Sequence, residues 1–156
     1  MRELLADRFH LAVHHEQRLE SEYALRVAPS GLNLRAAAPD EKPDFQVQPP
    51  KEVEPTVFQQ SIEFKNSSIQ LIAKVLTEKA MGKRVTGPSF VDKTGLQGGY
   101  DLTIEWIREQ GPGSDPAPPA PASLSAALRK VGLVFKLEKT PVDVLVVDHV
   151  EKASEN

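Results

Sequence analysis

The chain has 156 residues and none of them is cysteine. This absence excludes disulfide bonds, thiolate metal sites and a cysteine nucleophile, and it leaves the cellular compartment open. Long apolar runs are also missing. The longest candidate, residues 142–147, contains Asp143 and is far shorter than the ~20 residues of a membrane-spanning helix. We therefore expect no membrane insertion by this chain.

Excess positive charge is also lacking. The formal net charge is -3 and the isoelectric point is about 5.8, so no overall field draws the chain to nucleic acid or to anionic lipid. We therefore expect no nucleic-acid partner. Met1 is followed by Arg2, Glu3 and Asp7. This charged start differs from the apolar segment of a signal peptide, so we expect no export signal in this chain.

Familiar catalytic patterns are absent as well. Lys93, Thr94 and Gly95 match the Lys-Thr-Gly box of serine β-lactamases and penicillin-binding proteins, whose chemistry also requires a Ser-x-x-Lys pair on a helix. Neither Ser-x-x-Lys nor Ser-Asp-Asn occurs in the chain. The glycines at positions 95, 98 and 99 match neither a dinucleotide-binding fingerprint nor a P-loop. The sequence therefore assigns no catalytic residue and no cofactor.

Histidines are the remaining route to a metal site. His14, His15 and His149 could meet across neighbouring strands, but adjacent residues of a strand point to opposite faces. His14 and His15 are therefore poorly placed to bind one ion together. The His-Glu-x-x-His motif of zinc proteases does not occur. We expect surface or paired histidines and no metal site.

The clearest pattern that is present covers residues 90–106. Its apolar and polar side chains alternate: Tyr100, Leu102, Ile104 and Trp106 on one face, and Asp101, Thr103 and Glu105 on the other. A period of two predicts a strand with one covered face, and we expect the core to form against that face. Asp92 precedes the glycines and is expected to organise a turn through its own backbone.

Three segments with helix and strand patterns follow one another. In residues 1–28, a helix over 1–9 precedes strands at 11–16 and 23–27, with a polar turn at 18–21. In residues 61–107, a strand at Ile62 and Phe64 precedes a helix that begins at a Ser67 to Gln70 capping box and ends near Gly82. Strands are predicted at 84–91 and 100–106 after that helix.

In the third segment, residues 122–152, Ser123 is the predicted N-cap of a helix that ends at Gly132. Strands follow on either side of a turn at 139–141, and residues 144–147 of the second strand are apolar on both faces. That composition predicts a central strand. Residues 29–60 and 108–121 separate the three segments and are rich in proline, so both are predicted to be exposed loops.

Together these patterns predict a single α+β domain over residues 1–156. Repeated helix-plus-hairpin units would form a mainly antiparallel sheet with the helices packed on one face.

Three blocks of sequence resemble a known family. They are Leu4-Leu5-Ala6-Asp7-Arg8-Phe9 with Val13-His14-His15-Glu16, Val91-Asp92-Lys93-Thr94-Gly95-Leu96 with Gly99-Tyr100-Asp101 and Glu105-Trp106, and Val146-Val147-Asp148-His149-Val150-Glu151-Lys152. In this order they resemble the soil-associated bacterial domain family of unknown function. Members of that family look exported, and some are fused to membrane metallopeptidases of the antibiotic-sensing antirepressor type. The resemblance implies that this chain corresponds to the C-terminal part of the family domain and lacks a preceding unit, and it supplies no catalytic residue.

The function expected from these observations is non-enzymatic binding or sensing by an extracytoplasmic domain, with an unidentified protein or small molecule as the ligand. Binding is expected at a set of polar residues near the glycines and at the end of the last strand: Asp92, Lys93, Thr94, Tyr100, Asp101 and His149. Two alternatives remain open. One is a hydrolase with an unfamiliar active site near Asp92, Lys93 and His149, and the other is a module that self-assembles through an exposed sheet edge.

Overall fold

A computed structural model describes residues 9–38, 42–80, 87–109 and 121–151. The chain divides into two compact units, Met1–Glu20 with Lys139–Asn156 and Ser21–Glu138. The elements described are β1 (Ala12–Val27), β2 (Arg35–Ala36), β3 (Asp44–Val47), β4 (Lys51–Glu54), β5 (Val57–Ser67), α1 (Ile69–Lys79), β6 (Ser89–Asp92), β7 (Tyr100–Glu109), α2 (Pro121–Lys130) and β8 (Leu133–His149). The boundaries between the units fall inside β1 and β8. No helix within the described ranges has the length and apolarity needed to cross a bilayer.

A five-stranded antiparallel sheet forms most of the second unit. Its strand order is β2-β7-β5-β3, and β4 also pairs with β5. The ladder between β5 and β7 places Ile62 opposite Ile104 and Phe64 opposite Leu102. Since these four side chains are almost fully buried, the strand predicted from the alternation after Tyr100 is confirmed, with its covered face against the core.

The two helices bury their apolar sides in the same hydrophobic cluster as this sheet face. In α1 the buried positions are Ile69, Ile72, Ala73, Val75 and Leu76, which include the predicted set at i, i+3, i+4 and i+7. In α2 and the turn after it they are Leu124, Ala127, Leu128 and Val131. The predicted α+β class is therefore confirmed.

A second sheet has the order β6-β1-β8, so the described strands form two sheets rather than one common sheet. β6 pairs with β1 in parallel, with Tyr23 opposite Phe90, and does not pair with β7. The hairpin predicted around the glycines is therefore wrong. The repeated units expected from the sequence are not shown by this arrangement, because strand partners depend on contacts distant in sequence.

Two further hairpin predictions are corrected. β1 runs without interruption through residues 18–21, and β8 continues through Pro141, so neither predicted turn exists. Both segments are polar, and polarity was interpreted as a turn signal. A strand that is exposed on both faces needs no apolar alternation, since its backbone is satisfied by the ladder and its side chains by water and cross-strand partners.

The prediction that the last strand, with residues 144–147, is central in its sheet is also wrong. β8 lies at the end of its sheet in the described topology, and Leu145 and Val147 are half exposed at 50% and 55%. The first proline-rich segment is likewise more ordered than expected, because β2, β3 and β4 lie within residues 29–60. Parts of four predictions lie outside the described residues: positions 1–8 of the helix predicted over 1–9, the helix end at Gly82, positions 84–86 of the strand predicted over 84–91, and positions 110–120 of the loop predicted over 108–121.

Candidate functional site

An open groove of about 710 Å³ lies between α1 and β6 in the second unit. Its volume is within the range of about 300–1,000 Å³ typical of ligand sites. The lining comes from one side of the helix and from the strand: Ser68, Gln70, Leu71, Ala73, Lys74, Thr77 and Glu78, with Ser89, Phe90, Val91 and Asp92. A second depression, near Trp106 and Ser123, has only about 180 Å³.

The helical wall of the groove follows from how α1 begins and which side it buries. Ser68 is the N-cap, and its hydroxyl accepts a hydrogen bond from the backbone N–H of Leu71 at 3.2 Å. The predicted capping residue, Ser67, is one position too early, because its hydroxyl instead donates to the carbonyls of Asp44 and Lys65. With one side of α1 in the core, Leu71 and Lys74 remain on the side that faces the groove.

The strand wall is fixed by aromatic packing. Phe90 of β6, Tyr23 of β1 and Phe135 of β8 form a cluster with ring centroids 5.1–5.3 Å apart, and Phe135 meets both other rings nearly edge to face. The three strands are neighbours in one sheet, so each supplies one ring to the cluster. Each such pair stabilises the fold by about 0.5–1.5 kcal/mol in addition to the effect of burying apolar area. This packing holds the short β6 in place.

Thr77 joins the two walls directly. Its hydroxyl accepts a hydrogen bond from the backbone N–H of Phe90 at 2.8 Å and donates to the carbonyl of Ala73 at 2.9 Å. A strand edge facing a helix would otherwise leave this N–H unpaired. This hydrogen bond therefore holds α1 and β6 together at Phe90.

Asp92 ends β6 and organises the next turn, as predicted. Its Oδ1 accepts hydrogen bonds from the backbone N–H and the hydroxyl of Thr94, at 2.8 and 2.7 Å. The Thr94 hydroxyl oxygen in turn accepts from the backbone N–H of Leu96 at 3.2 Å. Asp92 is the only one of the six predicted binding residues that lines the groove, and this carboxylate oxygen is occupied by the turn.

Lys93 is held by a structural ion pair. Its ammonium lies 3.3 Å from the carboxylate of Glu22, whose residue is only 7% exposed. The backbone N–H of Lys93 donates to the carbonyl of Leu25 at 2.9 Å, which extends the pairing of β6 with β1. Because a nearly buried carboxylate needs a partner, Lys93 contributes to the fold at this position.

Tyr100 and Asp101 also make local contacts. The Tyr100 hydroxyl donates to the carbonyl of Gln97 at 3.0 Å, and the Asp101 carboxylate accepts from the backbone N–H of Asn66 at 2.9 Å. Asn66 has a positive φ of 41° and lies where the register between β5 and β7 shifts. Asp101 therefore supports a β-bulge, since it satisfies an amide that the interrupted ladder does not.

His149 belongs to the first unit, where every histidine of the chain lies beside a carboxylate. Its Nε2 is 2.9 Å from Glu151, and the other pairs are His10 with Glu151, His14 with Asp148 and His15 with Asp143, at 2.8–3.1 Å. The hydrogen bond that the His14 ring donates to the Asp148 carboxylate is the main cause of a raised pKa for His14. The hydrogen bond that the Glu151 carboxylate accepts from His149 is the main cause of a lowered pKa for Glu151. Within the described ranges, no three His, Asp or Glu side chains are placed to hold a metal ion.

The groove itself was not predicted. Sequence reasoning found the strand end at Asp92 but missed Leu71, Lys74 and Thr77, because the helix and the strand become neighbours only through the tertiary fold. The sequence does indicate that α1 has a side of mixed polar and apolar residues opposite its core side. Such a pattern predicts an exposed helix surface, but it does not show which element lies beside that surface.

Comparison with known proteins finds a family match. The family described as protein of unknown function (DUF3738) has a model that matches residues 1–150. Searches of curated proteins and of solved structures returned no match.

Proposed function

The chain belongs to the DUF3738 family of proteins of unknown function, and from that premise we propose that it is a non-enzymatic binding or sensory domain whose ligand occupies the groove between α1 and β6. The observation that carries the proposal is the groove itself. It has the volume of a ligand site, and its lining combines the apolar side chains of Leu71, Phe90 and Val91 with polar side chains.

The contacts of two lining residues, Thr77 and Asp92, favour binding over catalysis. An acid, a base or a nucleophile needs an uncommitted side chain beside a second functional group. Here the Thr77 hydroxyl is engaged by two backbone groups and Asp92 by Thr94. The rival proposal of a hydrolase near Asp92, Lys93 and His149 therefore has less support, since Lys93 is paired with Glu22.

A thermal-shift screen tests the binding proposal. The purified chain is heated with cell-wall fragments, β-lactams and peptides in turn, and a ligand at about 100 times its Kd should add about 2.7 kcal/mol to the unfolding free energy. Binding is then measured for Lys74→Glu, whose side chain lines the groove, and for Lys79→Glu, which makes the same charge change on the same helix outside the lining.

We expect Lys74→Glu to weaken binding about tenfold while Lys79→Glu leaves it unchanged. Equal effects of the two variants, or no shift from any compound, would count against the groove as the site. Turnover of an ester, amide or glycoside substrate that is abolished in folded Asp92→Ala would favour the hydrolase instead.

The proposed location is extracytoplasmic, and its support is the resemblance to exported family members. Fractionation of the source cells with an antibody to this domain tests it. Recovery in the cytoplasmic fraction alone would reject the location without affecting the groove.

Self-assembly is a second candidate, with another copy of this chain as the partner. One specific observation favours it: β8 ends its sheet among the described strands and exposes Leu145 and Val147. An exposed strand edge can pair with the same edge of another copy around a two-fold axis. Light scattering over a range of concentrations should then show a dimer that Leu145→Lys dissociates, whereas a monomer at all concentrations would exclude this candidate.

A further inference from the structure

β6 has an edge that no described strand covers. It pairs only with β1 in the described topology, where it ends the order β6-β1-β8. The N–H and C=O groups of successive strand residues point to opposite sides. Because the N–H of Lys93 donates to Leu25 of β1, the main-chain groups of Asp92 and Phe90 point away from β1, toward the side of the groove.

One main-chain group on this edge already has a hydrogen-bond partner: the Phe90 N–H donates to the Thr77 hydroxyl. Within the described residues, the Phe90 carbonyl and the Asp92 N–H have no hydrogen-bond partner. These two groups lie on either side of Val91. One residue of an added strand could donate its N–H to the carbonyl and accept from the N–H with its own carbonyl, as in a β-ladder.

We propose that the ligand is an extended peptide segment, whose main chain accepts from the Asp92 N–H and donates to the Phe90 carbonyl while its side chains pack on Leu71 of α1. This inference rests on the proposed binding function and names the class of ligand. Adding a strand to a sheet edge beside a helix is an established mode of peptide recognition, in which main-chain hydrogen bonds give affinity and side-chain contacts give specificity.

The charges of the groove agree with a peptide main chain. On α1 the lining carries Lys74 and Glu78, four residues apart and of opposite sign, and on β6 it carries Asp92. Such a wall has no excess of positive charge to recognise a phosphate or a carboxylate group. A neutral chain of alternating donors and acceptors fits it better than a nucleotide or an anionic sugar.

The experiment uses the full chain and two pools of synthetic peptides. The first is a pool of end-capped hexapeptides of L-amino acids, and the second has the same side chains with methyl groups on alternate backbone nitrogens. Methylation removes the N–H groups that would donate to Phe90 and leaves the side chains in place. Binding is read by thermal shift and then by amide hydrogen exchange with and without the peptides that bind.

Peptides from the first pool should bind, protect the Asp92 amide from exchange by at least tenfold, and lose at least tenfold in affinity when methylated. Glu78→Lys and Glu63→Lys give a matched pair, since Glu78 lines the groove and Glu63 lies on β5 outside it. Only Glu78→Lys should change which peptides bind.

Other outcomes separate the two proposals. If no peptide binds but a sugar or a β-lactam does, and Lys74→Glu weakens it, the peptide inference is overturned and the binding function stands. Peptides that bind equally well when methylated would reject pairing with β6. If none of these compounds binds, both proposals fail.

Discussion

At the scale of single residues, Gly132 shows how a close approach constrains the sequence. It ends the turn after α2 with a positive φ of 78°, and its carbonyl accepts from the Ala28 N–H at 2.9 Å. A Cβ added to it would lie 2.4 Å from the carbonyl oxygen of Gly31. The sequence predicted the helix end at this glycine, and the structure adds the backbone of a second segment packed against it.

We expect Gly132→Ala to destabilise the protein by about 2–5 kcal/mol, because it combines a left-handed backbone with a clash against another backbone. Gly98→Ala is the control, since Gly98 also has a positive φ, of 91°, but open space around it. Its cost should be only about 1–2 kcal/mol. Urea unfolding measures both variants, and equal losses would mean that the approach to Gly31 is unimportant.

His14 gives a residue-scale prediction about pH. The Asp148 carboxylate raises the pKa of His14 above its ordinary value of 6.5, first through their hydrogen bond and then through charge, and Glu16 adds a smaller effect. A raised pKa in the folded state means that the pair stabilises fully below pH 6.5 and that this stabilisation is lost as the pH rises through the raised pKa. The side chains are half exposed, so the effect on stability is small and the titration is the better measurement.

NMR titration of the His14 ring should show the pKa falling toward 6.5 in Asp148→Asn, and falling less in Glu16→Gln. The order of the two variants follows from the distances, because Asp148 lies 2.8 Å from the ring and Glu16 lies 3.8 Å from it. A larger change in Glu16→Gln would contradict the assignment of Asp148 as the main partner.

At the scale of elements, α2 is connected to the neighbouring sheet through a side chain whose role the sequence misplaced. Ser123 was predicted to be the N-cap, but α2 begins at Pro121 and Ser123 lies within it. Its hydroxyl instead accepts a hydrogen bond from the backbone N–H of Ile107 in β7 at 2.8 Å. A helix side chain thereby satisfies a strand amide, which no pattern local to either element could indicate.

Ser123→Ala should therefore destabilise the protein by about 0.5–1.5 kcal/mol, since it removes the acceptor of the Ile107 amide from a partly exposed hydrogen bond. Ser125→Ala on the same helix is the control. Ser125 has no side-chain hydrogen bond within the described residues, so its replacement should change stability by less than about 0.5 kcal/mol. Thermal unfolding and the exchange rate of the Ile107 amide report the difference, and similar behaviour of the two variants would refute the assigned contact.

The elements that were predicted correctly are those whose pattern comes from the core. The alternation in β7 and the helical spacing in α1 are both imposed by one buried face, so they can be read locally. Strands were predicted in both β1 and β8, but their continuity through residues 18–21 and 139–141 was missed because their exposed parts carry no such pattern. Likewise, Asp92 could be assigned to a turn from sequence, whereas the groove beside it required knowledge that α1 and β6 are neighbours.

At the scale of the whole molecule, the two units differ in how they are stabilised. All members of the hydrophobic cluster lie between residues 21 and 138. By contrast, none of the described residues in 9–20 or 139–151 is buried, and β1 and β8 are the only described strands there. A two-stranded ribbon with no buried face depends on its ladder and on exposed His–carboxylate pairs, each of which contributes little.

This contrast predicts that the first unit opens at a lower free energy than the second. Amides of residues 12–20 and 139–149 should exchange at rates that hardly change with low concentrations of denaturant, because opening them exposes little apolar surface. Amides of β5 and β7 should exchange only through global unfolding and should respond steeply to denaturant. Native-state hydrogen exchange followed by mass spectrometry distinguishes the two classes. If all four strands instead exchanged with one free energy and one denaturant slope, the ribbon and the core would unfold as one cooperative structure.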